Sequence, residues 1–304
     1  MKLKIAGKAI FCYAWYMKIG CHVSIAGGIF NAPGRAAELG CEAFQIFTRS
    51  PQGGKAAPIT AEVQQNFRQE MQKHELAECV VHTPYYINFG STARNVFYGS
   101  VSVNRDELER ASLLGARYVM THLGTYKDVG EEKGAEQVLK GLTKILEGYD
   151  GSALFLLEIA AGAGSVIGHN FEQLGGFVKE LKKYKGFGGI CFDTQHAFSS
   201  GYEINTEKGI KETFKKFDKL IGLEYFRMSH MNDSKIELGG KRDRHDHIGE
   251  GHIGEDGFQT IMGFIHDLEK KTKEEKPLIL ETEHDKVKAD IEKLKEIRAK
   301  ALKK

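Results

Sequence analysis

Gly189-Ile190-Cys191-Phe192-Asp193-Thr194-Gln195-His196-Ala197-Phe198 carries the pattern that decides the fold. Ile190–Phe192 is apolar, too short for a helix and without polar alternation, as a strand buried on both faces should be. It ends on an acid, Asp193, and a histidine, His196, follows three residues later. Working outward in both directions, the same kind of run recurs. The strand candidates are Lys18–Val23, Ala43–Phe47, Glu78–Val81, Tyr118–Thr121, Leu154–Leu157, Ile190–Phe192, Tyr225–Ser229 and Leu278–Leu280.

Helical patterns fill the intervals. Val101–Leu114 stops at Gly115, the glycine expected just past a helix end, and Asn170 with Gln173 resembles a capping box opening a helix that runs to Tyr184. Leu142–Leu146 and Phe214–Ile221 carry apolar stripes, and Lys286–Lys304 reads as a charged amphipathic helix packed on the outside. Eight strand-then-helix units without a Pro/Ser-rich hinge fit an α/β fold, a single (β/α)8 TIM barrel, better than two doubly wound domains. The barrel domain is assigned to residues 17–304. Residues 1–16, with three lysines, no acid and Trp15, precede the periodic pattern as an N-terminal extension, either an adventitious upstream start or a real arm or targeting segment.

Composition narrows the function classes. A net charge of +2 neither demands nor excludes a nucleic-acid partner, so any basic footprint must be local. The five cysteines, Cys12, Cys21, Cys41, Cys79 and Cys191, are odd in number and widely spaced, which predicts buried thiols in a reducing, cytoplasmic setting rather than disulfides or thiolate ligands. No apolar run reaches the ~18 residues of a membrane span.

In a barrel of this kind, functional groups gather at the C-terminal strand ends. In order those ends are His82, His122, Glu158, Asp193, His230 and Glu281, and the loops after strands six and seven add His196, Asp243 and His245. A single histidine at a strand end is more often a hydrogen-bonded core residue than a ligand. Six consecutive strands ending this way converge on one small volume, where four carboxylates repel one another unless cations neutralise them. Imidazole with carboxylate and no thiolate suits Zn2+, with Mn2+ or Fe2+ as substitutes. Nine ligands fit three ions if one carboxylate bridges, leaving about +2 at the site, opposite in sign to a phosphodiester. Such a site suits phosphodiester hydrolysis.

Lesser signals surround it. Lys235, Lys241, Arg242 and Arg244 make the strand-seven loop basic, either as a solvated loop or as phosphate-backbone contacts. Tyr85-Tyr86 reads as packed aromatics or as wedges for a nucleic-acid groove. His22, His247 and His252 are candidates for orienting ligands from outside. Gly162-Ala163-Gly164 lacks the remaining spacing of a dinucleotide loop and reads as a tight turn.

Together these segments resemble the endonuclease IV family of apurinic/apyrimidinic endonucleases, AP endonuclease family 2, from about Met17 to Glu281. The resemblance is carried by Gly20–Gly28, Cys191–Phe198, His230–Lys235, Asp243–Gly254 and Leu278–Thr282. It implies a trinuclear zinc site that cleaves double-stranded DNA 5′ to a lost base, leaving a 3′-hydroxyl and a 5′-deoxyribose phosphate. It also implies His82 and His122 on the first zinc, Asp193, His230 and Glu281 on the second, Glu158 bridging both, and His196, Asp243 and His245 on the third. Glu158 and Glu281 then count as catalytic as well as metal-holding. A water between the first two ions is the implied nucleophile, with the third ion at the departing 3′-oxygen. Tyr85 matches a family aromatic that enters the minor groove; Gln52, Lys55 and Arg244 are the other expected DNA contacts, and a monomer is expected.

The chain departs from the family pattern in three places. The loop Arg49-Ser-Pro-Gln52-Gly53-Gly54-Lys55 lacks the usual Arg and aromatic of the DNA-penetrating loop, Ala160, Ala161 and Ala163 stand where polar residues are common, and Leu123 replaces a usual Pro. The alternative readings are a metal-dependent sugar isomerase or epimerase on the same barrel, and a non-catalytic damage-binding protein.

Overall fold

A computed structural model describes residues 17–303, together with the backbone of a short antiparallel ladder between Lys4–Ile5 and Lys8–Ala9. The remainder of the 1–16 extension lies outside the described residues.

Eight parallel strands form the sheet: β1 (Ile19–Cys21), β2 (Ala43–Ile46), β3 (Glu78–His82), β4 (Tyr118–Thr121), β5 (Leu154–Glu158), β6 (Phe187–Asp193), β7 (Phe226–His230) and β8 (Leu278–Leu280). Each pairs with the next from β2 to β8, and β8 pairs back with β1. The remaining seam, β1 to β2, closes through a parallel bridge between His22 and Gln45 and through Glu42 N–H donating to Ile19 O at 2.7 Å. Gly20 is required there: a Cβ on it would sit 1.6 Å from the Ala43 carbonyl oxygen.

The helices are α1 (Ala32–Glu38), α2 (Ala61–Lys73), α3 (Arg94–Leu114), α4 (Glu131–Leu146), α5 (Phe171–Leu181), α6 (Thr194–Ser199), α7 (Glu207–Leu220), α8 (Gly254–Thr272) and α9 (Val287–Ala301). Their ends follow local chemistry. Thr60, Asn170 and Thr206 cap α2, α5 and α7 by accepting a backbone N–H three residues on, and Gly115 ends α3 in the left-handed region at φ 75°.

Several boundaries differ from the sequence reading. Only half of the expected capping box forms, because the Gln173 side chain turns to Gly168 N–H instead of back to Asn170. That helix stops at Leu181, three residues short of Tyr184. Helix α3 starts at Arg94 rather than Val101, with no side-chain cap to mark it. Strand β6 starts at Phe187, ahead of Gly188-Gly189, which mask the strand pattern; a Cβ on Gly189 would lie 2.3 Å from Tyr225 O, so the close approach of the turn leading into β7 explains the glycine. Residue Tyr225 falls in a 3-10 turn just before β7.

The core has two shells. Ala43, Val80, Tyr118, Met120, Leu156, Cys191, Met228 and Ile279 fill the barrel interior, and a much larger cluster packs the strands' outer faces against the helices. Below that interior plug, the Glu274 carboxylate accepts from Arg117, Arg227 and Lys276 at 2.6, 2.5 and 2.7 Å. Four cysteines, Cys21, Cys41, Cys79 and Cys191, are buried free thiols, and Cys12 lies outside the described residues. Among the described residues no helix is long and apolar enough to cross a membrane.

Candidate metal centre

Side chains on a strand repeat every two residues on one face. The interior plug therefore dictates what stands one pleat above it. Val80 is followed by His82, Met120 by His122, Leu156 by Glu158, Cys191 by Asp193, Met228 by His230 and Ile279 by Glu281. Six of the nine expected residues thus rise from the barrel interior into its C-terminal mouth. The other three come from the segments just past β6 and β7. His196 lies on α6 rather than on a loop, because Asp193 Oδ1 accepts His196 N–H at 2.7 Å and caps that helix. His245 sits on a two-residue strand, His245–Asp246, which pairs with Asp233–Ser234.

The nine residues converge around Glu158, which is fully buried. Its Oε2 lies 3.4 Å from His82 Nε2 and 3.5 Å from His122 Nε2, and its Oε1 lies 2.9 Å from His230 Nδ1 and 3.4 Å from His196 Nδ1. One ligand atom from each of His82, His122 and Glu158 falls within 4.8 Å of the others; so does one from each of Glu158, Asp193, His230 and Glu281. A third group by the same measure joins His196 and His245 to Asp193 rather than to Asp243. Asp243 approaches both histidines with different oxygens, Oδ2 at 3.4 Å from His196 Nε2 and Oδ1 at 3.4 Å from His245 Nε2.

Outer partners aim the rings. His82 turns Nδ1 to Thr83 O at 2.6 Å, which leaves Nε2 facing the cluster. His230 does the reverse, with Nε2 at 2.8 Å from Gln45 Oε1 and Nδ1 inward. Asn232 donates to Asp193 Oδ2 at 2.7 Å and accepts Glu281 N–H at 2.8 Å. Asp233 gathers the backbone N–H groups of Ser234, Gly249 and Ile253 and so ties down the loop that carries His245.

The charges in this volume are arranged for cations. Burial alone would push the Glu158 carboxyl up, but His122, His230 and His196 outweigh it and hold it well below the usual range. Glu281, likewise opposed by burial, is held at about 2 by His230 and His82. Burial lowers the histidines, yet Asp193, Asp243 and Glu158 raise His196 well above its ordinary value, and Cys191, Glu281 and Glu158 do the same for His230. Protons on imidazole thus stand where divalent charge would serve. Three buried atoms, Glu158 Oε2, His196 Nε2 and His245 Nε2, have no hydrogen-bond partner although burying such groups unpaired is costly. Unpartnered nitrogens and oxygens at the focus of an imidazole and carboxylate cluster fit divalent cations. Cys191 also comes within 4.8 Å of ligand atoms of Glu158 and His230, but burial pushes its thiol up to about 12, so it presents no thiolate.

The remaining expected residues divide. Tyr85 is 67% exposed at the rim, its ring 5.2 Å from Phe47 and 5.8 Å from His82. Gln52, Lys55 and Arg244 are exposed, and a side chain at Gly53, in the loop that carries Gln52 and Lys55, would reach the Tyr86 ring. Lys235 and Lys241 are exposed too, as is Arg242. His22 faces Gln45, and burial holds its ring at about 3, hence neutral. His247 pairs with Asp290 at 2.7 Å. His252 is tied by its backbone, not its ring, to Ser234, so its expected orienting role has no support in the geometry. Sequence reasoning missed Gln45, Asn232 and Asp233, which carry no spacing signal, although Asn232 and Asp233 lie inside the His230–Lys235 motif. A cleft of about 510 Å³ opens beside the cluster, bordered by Tyr85, Asn88, His122, Ala161, His196 and Asp243 among others.

Residues 33–303 match the family described as Xylose isomerase-like TIM barrel. The chain is 41% identical over 282 residues to the probable endonuclease 4 of Nitrosopumilus maritimus, covering 92% of this chain and 98% of that protein. The chain belongs to the endonuclease IV family. Among solved structures, endonuclease IV from Thermus thermophilus superposes with a TM-score of 0.78 at 30% identity, over 94% of this chain and 99% of that one. A D-tagatose 3-epimerase-like protein superposes with a TM-score of 0.70 at 23% identity over 94% of this chain and 97% of its own, a likeness of fold alone. Within the endonuclease IV family, then, the mouth of the barrel rather than its architecture is the informative part.

Proposed function

We propose that this chain is a metal-dependent apurinic/apyrimidinic endonuclease that hydrolyses the phosphodiester 5′ to an abasic site in double-stranded DNA, leaving a 3′-hydroxyl and a 5′-deoxyribose phosphate. The observation that carries the reading is the convergence of five imidazoles and four carboxylates in one volume around Glu158, with buried ligand-type atoms left unpaired. Kinship with proteins named endonuclease 4 supports the same assignment. Three Zn2+ ions are the proposed complement, and the proposed working unit is a monomer.

In this assignment His82, His122 and Glu158 hold one ion, Glu158, Asp193, His230 and Glu281 a second, and His196, Asp243 and His245 a third. Bound there, divalent ions supply Lewis acidity toward the phosphate and a water acidified to near-neutral pKa. The chain's residues do the rest. Glu158 and Glu281 stay ionised because the histidines hold them low. Outer partners fix the ring faces of His82 and His230. The cleft beside His122, His196 and Asp243, with its small walls at Ala160, Ala161 and Ala163, takes the extruded abasic sugar, whose missing base makes extrusion cheaper. Tyr85, exposed at the rim, is the proposed aromatic wedge, and the exposed Lys55 and Arg244 are the proposed contacts to backbone phosphates.

A sugar isomerase or epimerase needs one or two ions and a free proton-transfer pair. Here no carboxylate of the cluster is left over from the nine. The test is incubation of the zinc-loaded protein with a labelled duplex carrying one abasic site, beside an undamaged duplex. A single nick 5′ to the lesion with an extendable 3′-hydroxyl is the expected result; no nick in a protein holding about three ions per chain would reject the proposal and turn attention to ketose substrates.

A further inference from the structure

Gln45 is fully buried on β2, a strand that sends no metal-capable side chain into the mouth. It stands one pleat above the interior residue Ala43, at the seam where β2 meets β1. Its amide oxygen lies 2.8 Å from His230 Nε2. Its amide nitrogen donates to Glu281 Oε1 at 2.6 Å and lies 3.0 Å from His22 Nδ1.

This arrangement has one sensible orientation. Flipping the amide would set its oxygen against the Glu281 carboxylate and its NH2 against His230. With the oxygen toward His230, that ring must carry its proton on Nε2, because an amide oxygen only accepts. Nδ1 is then the nitrogen that faces Glu158 Oε1 at 2.9 Å, Glu281 Oε2 at 3.2 Å and Asp193 Oδ2 at 3.7 Å.

We infer that Gln45 is a positioning residue of the metal centre, one amide that selects the Nε2–H tautomer of His230 and fixes the Glu281 carboxylate beside it. The inference rests on the metal-binding reading of the cluster. Orienting partners of this kind commonly govern the affinity of the ion they never touch. Gln45 reaches two ligands of the same group at once, so losing it unfastens both.

The test uses the full chain as wild type, Gln45→Leu and Gln45→Glu. In zinc-loaded wild type, long-range 1H–15N spectra should show His230 protonated on Nε2 and bare on Nδ1; a proton on Nδ1 would overturn the inference, and this holds even if a variant fails to fold. In Gln45→Leu, chelator competition should show the weakest-held zinc released roughly 10–100-fold more easily. Its kcat should fall while KM for the abasic duplex stays, since Gln45 is buried away from the rim. Gln45→Glu keeps an acceptor for His230 and should keep the Nε2–H tautomer while losing the donor to Glu281. Wild-type zinc affinity and an unchanged His230 tautomer in Gln45→Leu would sink the idea. A wild type that binds no zinc at all would instead overturn the metal reading on which it stands.

Discussion

Glu158 Oε1 and His230 Nδ1 meet at 2.9 Å across the barrel mouth, from strands separated by 72 positions in the chain. Both groups are fully buried against an opposing cost; His122 and His230 hold the carboxyl down, while Cys191, Glu281 and Glu158 raise the imidazole. This pair at the focus of seven further ligand-type side chains is what the proposed bridging role of Glu158 rests on.

Removing that bridge should disable cleavage without unfolding the barrel. Glu158→Gln keeps the volume and one acceptor oxygen. Loss of kcat should exceed the ~100-fold upper range seen when only an outer partner of a metal ligand is lost. Steady-state incision of an abasic duplex, beside a melting curve, checks both halves; near-normal nicking would refute the bridging role.

A divalent ion, zinc in the proposed assignment, must displace protons from the cluster. His196 and His230 sit well above their ordinary values in the metal-free protein, so binding an ion releases protons and its apparent affinity should rise with pH. Competition against a chromophoric chelator at about pH 6 and about pH 8, spanning the ordinary imidazole range, reads this directly. Stripping the metal should also lower the melting temperature, because a ligand bound only by the folded state stabilises it. An affinity that is flat with pH would contradict the imidazole ligand set.

Glu78 offers a stability measurement away from the site. Burial pushes its carboxyl from 4.5 up to about 7, with Arg117 Nε at 3.8 Å too distant to reverse this, and its Oε1 lacks a partner. The folded state therefore binds its proton more tightly than the unfolded state does. Stability from this group is full below pH 4.5 and is lost as pH rises through about 7. Glu78→Gln should leave stability near pH 4 little changed and raise it near pH 8 by roughly 3 kcal/mol, at about 1.4 kcal/mol per pKa unit. Denaturant melts at the two pH values check the sign.

Phosphate contacts predict a steep salt response for binding to an abasic duplex. Lys55→Ala and Arg244→Ala should each weaken binding and reduce the salt slope by about 1. Tyr85→Ala should weaken binding with little change in that slope, since an aromatic wedge releases no counterions. Fluorescence anisotropy over a salt series separates the two behaviours, and a flat response in the wild type would argue against a DNA substrate.

Much of the barrel, and which side chains gather at its mouth, could be read from the chain alone, for a local reason. Strands buried on both faces are short apolar runs, and the two-residue repeat places the next inward residue at the mouth, so Leu156 announces Glu158 and Met228 announces His230. Helix ends such as Gly115 and Asn170 were legible because capping depends on residues a few positions apart. Only the tertiary structure decided that His196 and His245 draw together with Asp193, the helical setting of His196 and the hidden start of β6 behind Gly188-Gly189. It alone exposed Gln45, whose contact with Glu281 joins positions 236 apart. Periodicity records which face of an element is buried, but the partner that a buried polar group finds is set by how distant strands meet around the closed barrel.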